Sequence, residues 1–177
     1  MSSKILTTMA KFIGDNGTSA LCNGKKMAKD NFVFEVLGDL DELTSFLGFA
    51  KNYIKDRKFK NWIGAAQKDI FWLCAELAGA KKEDWKKLIE NLDARLEFCQ
   101  KNTAELRHFI LPGASLVSSC LDYSRSLCRR AERRAVALSR RQKINADIII
   151  YLNHLSKFLF FFARIINKKS GIKESEI

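Results

Sequence analysis

Ile148-Ile149-Ile150-Tyr151-Leu152-Asn153-His154-Leu155-Ser156-Lys157-Phe158-Leu159-Phe160-Phe161-Phe162-Ala163-Arg164-Ile165-Ile166 places Ile148, Leu152, Leu155, Leu159, Phe162 and Ile166 at steps of four and three. That spacing lays one apolar stripe along a helix, whereas a strand would alternate every second residue. Asn145 just upstream is a suitable N-cap, because its side chain can accept the orphaned N–H groups of the first turn. The same steps recur earlier in the chain. Val36, Leu40, Leu43, Leu47, Ala50 and Ile54 predict a helix from about 33 to 56, and Ile63, Ala66, Ile70, Leu73 and Leu77 a second. Trp85, Leu88, Leu92, Leu96 and Cys99 mark a shorter third. Phe109-Ile110-Leu111-Pro112-Gly113 interrupts, since its Pro-Gly pair breaks helices. A fourth helix follows from about 115 to 141, with Val117, Leu121, Ser124, Cys128, Ala131, Ala135 and Leu138 on one side. Alternating steps of this kind pack helices at shallow angles. The expected fold is all-α: a five-helix up-and-down bundle over 33–168, a glycine-containing loop over 1–32 and a tail over 169–177, in one domain.

Composition narrows the choice in the same direction. Nine glycines and one proline in 177 residues are too few for the tight turns of a sandwich or barrel, while 47% hydrophobic residues suffice for a core. Lys and Arg number 31 against 20 Asp and Glu, a formal charge of +11 that calls for a polyanionic partner. Five cysteines, an odd number with no C-x-x-C pair, argue against a disulfide framework or a zinc site and for reduced thiols in a cytoplasmic compartment. The first residues lack the apolar run of a signal peptide. The greasiest stretch, 158–163, is stopped by Arg164, short of the roughly 20 residues a membrane span needs. No membrane is therefore expected.

The fourth helix carries Arg125, Arg129, Arg130, Arg133, Arg134, Arg140 and Arg141. Arg125, Arg129 and Arg133 are four apart and share one face, with Asp122 and Glu132 on or beside it. Two readings are open: a solvated charged face, or a phosphate clamp built from guanidinium forks. Cys128 and Ala131 interleave with these arginines, so part of the stripe must approach the core or a subunit interface. Upstream, Gly14-Asp15-Asn16-Gly17-Thr18-Ser19 can turn backbone N–H groups toward an anion, with hydroxyls beside them. It is not a Walker A loop, for no G-K-[ST] ends it. On the first helix, Asp41 lies close to the apolar stripe beside Asp39 and Glu42, where a carboxylate wants an arginine. Neither His108 nor His154 completes a nucleophile–base set.

In four ordered blocks covering roughly 11–167, the chain resembles the PduO-type ATP:corrinoid adenosyltransferases. Gly14-Asp15-Asn16-Gly17-Thr18-Ser19, running on to Lys29-Asp30, is similar to the family's T-K-T-G-D-x-G-x-[ST] loop and following lysine. Glu35-Val36-Leu37-Gly38-Asp39-Leu40-Asp41-Glu42-Leu43 is similar to E-A-x-G-x-x-D-E-L. The third block is Phe109-Ile110-Leu111-Pro112-Gly113 with Arg125 and Cys128-Arg129-Arg130-Ala131-Glu132-Arg133; the fourth is Tyr151-Leu152-Asn153-His154-Leu155-Ser156.

The resemblance implies a five-helix bundle, a homotrimer with active sites between subunits, ATP as co-substrate with Mg²⁺, and cobalamin as substrate. It implies ATP contacts from Lys11, Gly14, Asp15, Gly17, Ser19, Lys29, Arg125, Arg129, Arg130, Glu132, Arg133 and Asn153. It also implies an inter-subunit pair of Asp41 with Arg129. Phe109 would press on the corrin and exclude the lower ligand, making Arg129 and Phe109 the catalytic pair. A reductase and an adenosylcobalamin-dependent enzyme are the further partners expected, and no nucleic acid. Departures are Lys11-Phe12-Ile13 for Thr-Lys, Asn23-Gly24 where two glycines are common, Ala114 for a second glycine, Asp122 for a histidine and Lys157 for an aspartate. The competing readings are a non-catalytic ATP or cobalamin carrier and a basic helical nucleic-acid binder.

Overall fold

Every helix starts on a side chain that accepts a backbone N–H of its own first turn. In the computed structural model, which describes residues 14–15, 17–80, 83–105 and 108–177, these caps open α1 (Phe32–Tyr53), α2 (Arg57–Leu77), α3 (Trp85–Asn102), α4 (Leu116–Ser139) and α5 (Ala146–Lys169). The caps are Asn31, Asp56, Asp84, Ser115 and Asn145. Ser115 forms a reciprocal capping box with Ser118, which starts α4 sharply after the Pro112-Gly113 break. The expected apolar stripes are the buried faces: from Val36 to Ile54 on α1, from Leu121 to Leu138 on α4 and from Ile148 to Ile166 on α5. α1 stops at Tyr53, where Ile54 turns extended, three residues short of the expected end near 56.

The segment expected to be only a loop also holds a small antiparallel hairpin, β1 (Thr18–Ala20) with β2 (Lys26–Ala28), in register Thr18↔Ala28 and Ser19↔Met27. Three-residue strands are too short to imprint an alternation, which is why sequence periodicity passes over them. The hairpin rests on the end of α2, where Asn23 N donates to Ala78 O at 3.3 Å.

α5 packs against α3 and α4, and α1 against α2 and α4, so the last helix lies deep in the bundle. Phe158 and Phe162 stack at 5.1 Å, with Phe59 edge-on to Phe162 at 5.1 Å. Among the described residues α5 alone is long and apolar enough to cross a membrane. Its burial and its internal polar partners identify it as a core helix. Arg164, 3% exposed, donates from Nη2 to Asp122 on α4 at 2.8 Å and from Nε to Glu174 of the tail. Asn167, fully buried, accepts from Ser115 Oγ at 2.7 Å.

A second buried polar pair ties α5 to α2: Tyr151 Oη donates to Asp69 at 2.8 Å. Burial raises the Asp69 carboxyl above its ordinary value, and the Tyr151 hydrogen bond partly offsets that. A carboxyl raised on folding contributes stability below its unfolded value and loses it as pH rises through the folded value. Tyr151→Phe removes the one neighbour that favours the ionised form most. It is expected to cost about 1–3 kcal/mol near pH 7, and clearly less near pH 4, where Asp69 is increasingly protonated. Urea unfolding of both proteins at the two pH values checks this; an equal cost at both would contradict it.

Candidate active site

The registration of α4 on α5 is fixed where the buried Cys128 thiol meets the Leu152 carbonyl at 3.2 Å. One turn away, Arg125 and Arg129 of α4 face Ser156, Lys157, Phe160 and Phe161 of α5 around a cavity of about 150 Å³. Three cations, a hydroxyl and two rings line it, with no carboxylate. Arg125 Nε is buried without a hydrogen-bond partner. None of Arg125, Arg129 and Arg133 forms an ion pair with a described residue. The buried Arg125 Nε, a donor left without a described partner, calls for an acceptor there, and the exposed Arg129 and Lys157 add positive charge at the rim. Glu132 and Asn153 are half-buried on the flanking turns, and Arg133 is exposed one turn on.

The neighbouring arginines behave differently. Arg130 and Arg134, one step round α4, converge on Asp39 Oδ1 at 3.0 and 2.9 Å. Arg134 also reaches Glu35 at 2.9 Å, and Arg130 pairs with Glu42. Burial raises the Asp39 carboxyl, and the two guanidinium groups oppose the rise. This corrects the expectation for α1: the carboxylate half-embedded against the arginine helix is Asp39, 4% exposed, while Asp41 is exposed. Asp39 lies between Val36 and Leu40 on the face turned to α4, and Asp41 has rotated past it. Within the chain Arg130 is therefore committed to Asp39 and Glu42 and does not line the Arg125–Arg129 cavity. Asp41 and Arg129 are both exposed and do not meet within one chain.

Gly14, Asp15, Gly17, Ser19 and Lys29 form a second group. Gly14 and Gly17 have φ of 104° and 75°, conformations that favour glycine, and Gly17 N donates to Gly14 O at 3.1 Å. Lys29 N donates to Gly17 O at 2.8 Å, and its ammonium lies 3.0 Å from where a Cβ on Gly14 would sit. The lysine is thus folded over the glycine turn. No described hydrogen bond or ion pair joins this group to the Arg125–Arg129 cavity. Lys11 and Asn16 lie outside the described residues.

Phe109 stands on the link between α3 and α4 with 84% of its surface exposed. Leu111 on the same link and Leu116 at the start of α4 are also more than half exposed, so this segment presents three large apolar side chains to solvent, and Phe109 is not a core aromatic. Three features escaped sequence reasoning: the position of Lys157 beside Arg125 and Arg129, the Asp39 clamp, and the pairing of the tail with the Phe109 loop. The first was visible as an unexpected lysine at helical spacing from Asn153. The last left no signal, because neither segment is periodic.

A helical bundle that carries a carboxylate-free arginine cavity and a glycine-turned loop has the architecture of a protein that holds an anionic ligand. The structure superposes with a TM-score of 0.88 on a phenylalanine-to-histidine variant of a PduO-type ATP:corrinoid adenosyltransferase from Lactobacillus reuteri complexed with cobalamin and ATP, at 26% identity over 93% of each chain. An arginine-to-lysine variant of that protein complexed with ATP gives 0.87 at 28% identity, over 93% of this chain and 97% of that one. Residues 11–166 match the cobalamin adenosyltransferase family model, and the chain belongs to that family. It is 35% identical over 171 residues to the corrinoid adenosyltransferase of Bacillus subtilis, covering 92% of this chain and 88% of that one. It is 33% identical over 173 residues to corrinoid adenosyltransferase MMAB of Homo sapiens, covering 91% and 69%.

Proposed function

We infer that this protein transfers the 5′-adenosyl group of ATP to the cobalt of reduced cob(I)alamin, giving adenosylcobalamin and triphosphate. The observation that carries the assignment in this chain is the row of cations at Arg125, Arg129 and Lys157, none of which forms an ion pair with a described residue. Cobalt(I) forms a bond to the ribose 5′ carbon as the C–O bond to the triphosphate breaks, and the electron pair of that bond leaves with the triphosphate. No proton is removed, so no general base is required. The protein's task is to neutralise charge growing on the leaving group, which fixed guanidinium groups do without reorganising. It must also hold carbon and cobalt in line.

The Gly14–Gly17 turn and Lys29 supply phosphate donors, as do Arg129 and Arg133; Glu132 and Asn153 orient the nucleotide. Lys11, Asp15, Ser19 and Arg125 belong to the same site, and Arg130 contributes by anchoring α4 to α1. No group of three His, Cys, Asp or Glu side chains converges among the described residues, so Mg²⁺ would be carried by the triphosphate's own oxygens. Phe109 faces the corrin and displaces its lower ligand, which makes cobalt easier to reduce. Membership of the family and the exposure of both Asp41 and Arg129 support a homotrimer whose sites are completed between copies, with Asp41 of one copy reaching Arg129 of the next. The cysteine pattern supports a cytoplasmic location.

Purified protein with ATP, Mg²⁺ and chemically reduced cobalamin under argon is the test. Decay of the cobalt(I) absorbance with formation of adenosylcobalamin and triphosphate is expected. Unchanged spectra from a folded, ATP-bound protein would leave a carrier in place of an enzyme.

A further inference from the structure

The segment after α5 doubles back across the mouth of the α3–α4 link. Leu111 N donates to Ser175 O at 2.8 Å and Ile177 N donates to Phe109 O at 2.9 Å, an antiparallel bridge centred on Ile110 and Glu176. Both described backbone hydrogen bonds of Phe109 and Leu111 therefore go to this tail. Thr103, Ile110, Lys168 and the tail residues from Ile172 to Glu176 together line an open cavity of about 880 Å³. Glu174 is the tail's side-chain anchor to the bundle, beside the Ile172 N–H donating to Asn167 O at 2.9 Å. Its Oε1 accepts from Asn167 Nδ2 at 2.6 Å and from Nε of the buried Arg164, whose other face is held by Asp122. Asn167 in turn accepts from Ser115, the cap that ends the same loop. One carboxylate thus ties the tail to α5 and, through Asn167 and Ser115, to the cap at the end of the Phe109 loop.

We propose that residues 172–177 form a strap that sets the position of the Phe109 ring against the corrin, with Glu174 as its positioning residue. The proposal rests on the corrin-facing reading of Phe109 given above. An exposed ring can exclude a ligand only if its backbone is held in place, because ordering a free loop costs conformational entropy at each turnover. Glu174 supplies that order at a distance from the reacting atoms.

The test compares Glu174→Ala, Glu174→Gln, Ile177→Pro and Phe109→Ala in the full-length protein. Ile177→Pro removes the N–H that binds Phe109 O at an exposed position outside the buried Arg164 network, so it reports on the strap even if Glu174→Ala folds poorly. Glu174→Ala and Ile177→Pro are expected to lower kcat/KM for cob(I)alamin about tenfold while KM for ATP stays within about twofold. They should also reduce the fraction of bound cob(II)alamin lacking its lower ligand, read from its visible spectrum, and speed hydrogen exchange at the Leu111 amide. Glu174→Gln keeps an acceptor for Asn167 and should recover most of the activity. If Phe109→Ala is impaired but Glu174→Ala and Ile177→Pro turn over as the parent does, the strap proposal is overturned alone. If Phe109→Ala itself turns over normally, the reading of Phe109 fails and the strap loses its catalytic role with it.

Discussion

Arg129→Ala lowers the turnover number by about two to three orders of magnitude, the range seen when one preorganised donor to a developing anion is removed, and leaves the bundle folded. The side chain is exposed and makes no ion pair with a described residue, so no buried partner is orphaned by its loss. Its neighbours Cys128 and Ala131, which are fully buried, continue to hold α4 in place. The effect should fall on kcat more than on KM for ATP, because charge on the triphosphate is greatest as the C–O bond breaks. Arg129→Lys keeps the charge but loses the planar fork, and intermediate activity is expected. Single-turnover rates at saturating ATP, alongside circular dichroism melts, provide the check. Normal turnover in Arg129→Ala would remove it from the catalytic machinery.

Arg164→Met is the substitution with the largest expected effect on stability. The guanidinium is almost fully buried between Asp122 and Glu174, two carboxylates that then face each other without a counter-charge. Breaking a buried ion pair on one side costs about 3–5 kcal/mol, a large fraction of the roughly 5–15 kcal/mol that holds a typical domain together. The Met side chain fills similar volume, so a cavity is not the cause of the loss. Adding Asp122→Asn and Glu174→Gln to Arg164→Met removes both stranded charges and should restore much of the stability. Guanidinium unfolding of the single and triple variants separates the two explanations: a triple variant as unstable as the single would assign the cost to packing.

The bundle was legible because helices bury stripes, and a stripe such as Val36, Leu40, Leu43 and Leu47 is written at a fixed period. Caps such as Asn145 were legible for the same local reason. The hairpin at 18–28 was not, since its strands are shorter than any detectable period. Within one chain the carboxylate buried against the arginines is Asp39, and Asp41 faces outward. The two are separated by a rotation that only the packing of α1 on α4 decides. The candidate residues themselves came from their likeness to family motifs, and the cavity then singled out Arg125 and Arg129 from seven similar arginines. The tail's grip on the Phe109 loop depends on contacts between segments more than sixty residues apart, beyond the reach of any local pattern.

The absence of a carboxylate around Arg125, Arg129 and Lys157 has a further consequence, for the resting enzyme. Positive charge gathered along a cleft attracts small anions, so orthophosphate and chloride are expected to compete for the site. ATP then binds by displacement, and its apparent affinity falls as the ambient anion concentration rises. Triphosphate, the product with the highest charge density, is the competitor the same field holds best, so a cleft tuned to draw electrons out of a C–O bond also tends to delay its own clearance.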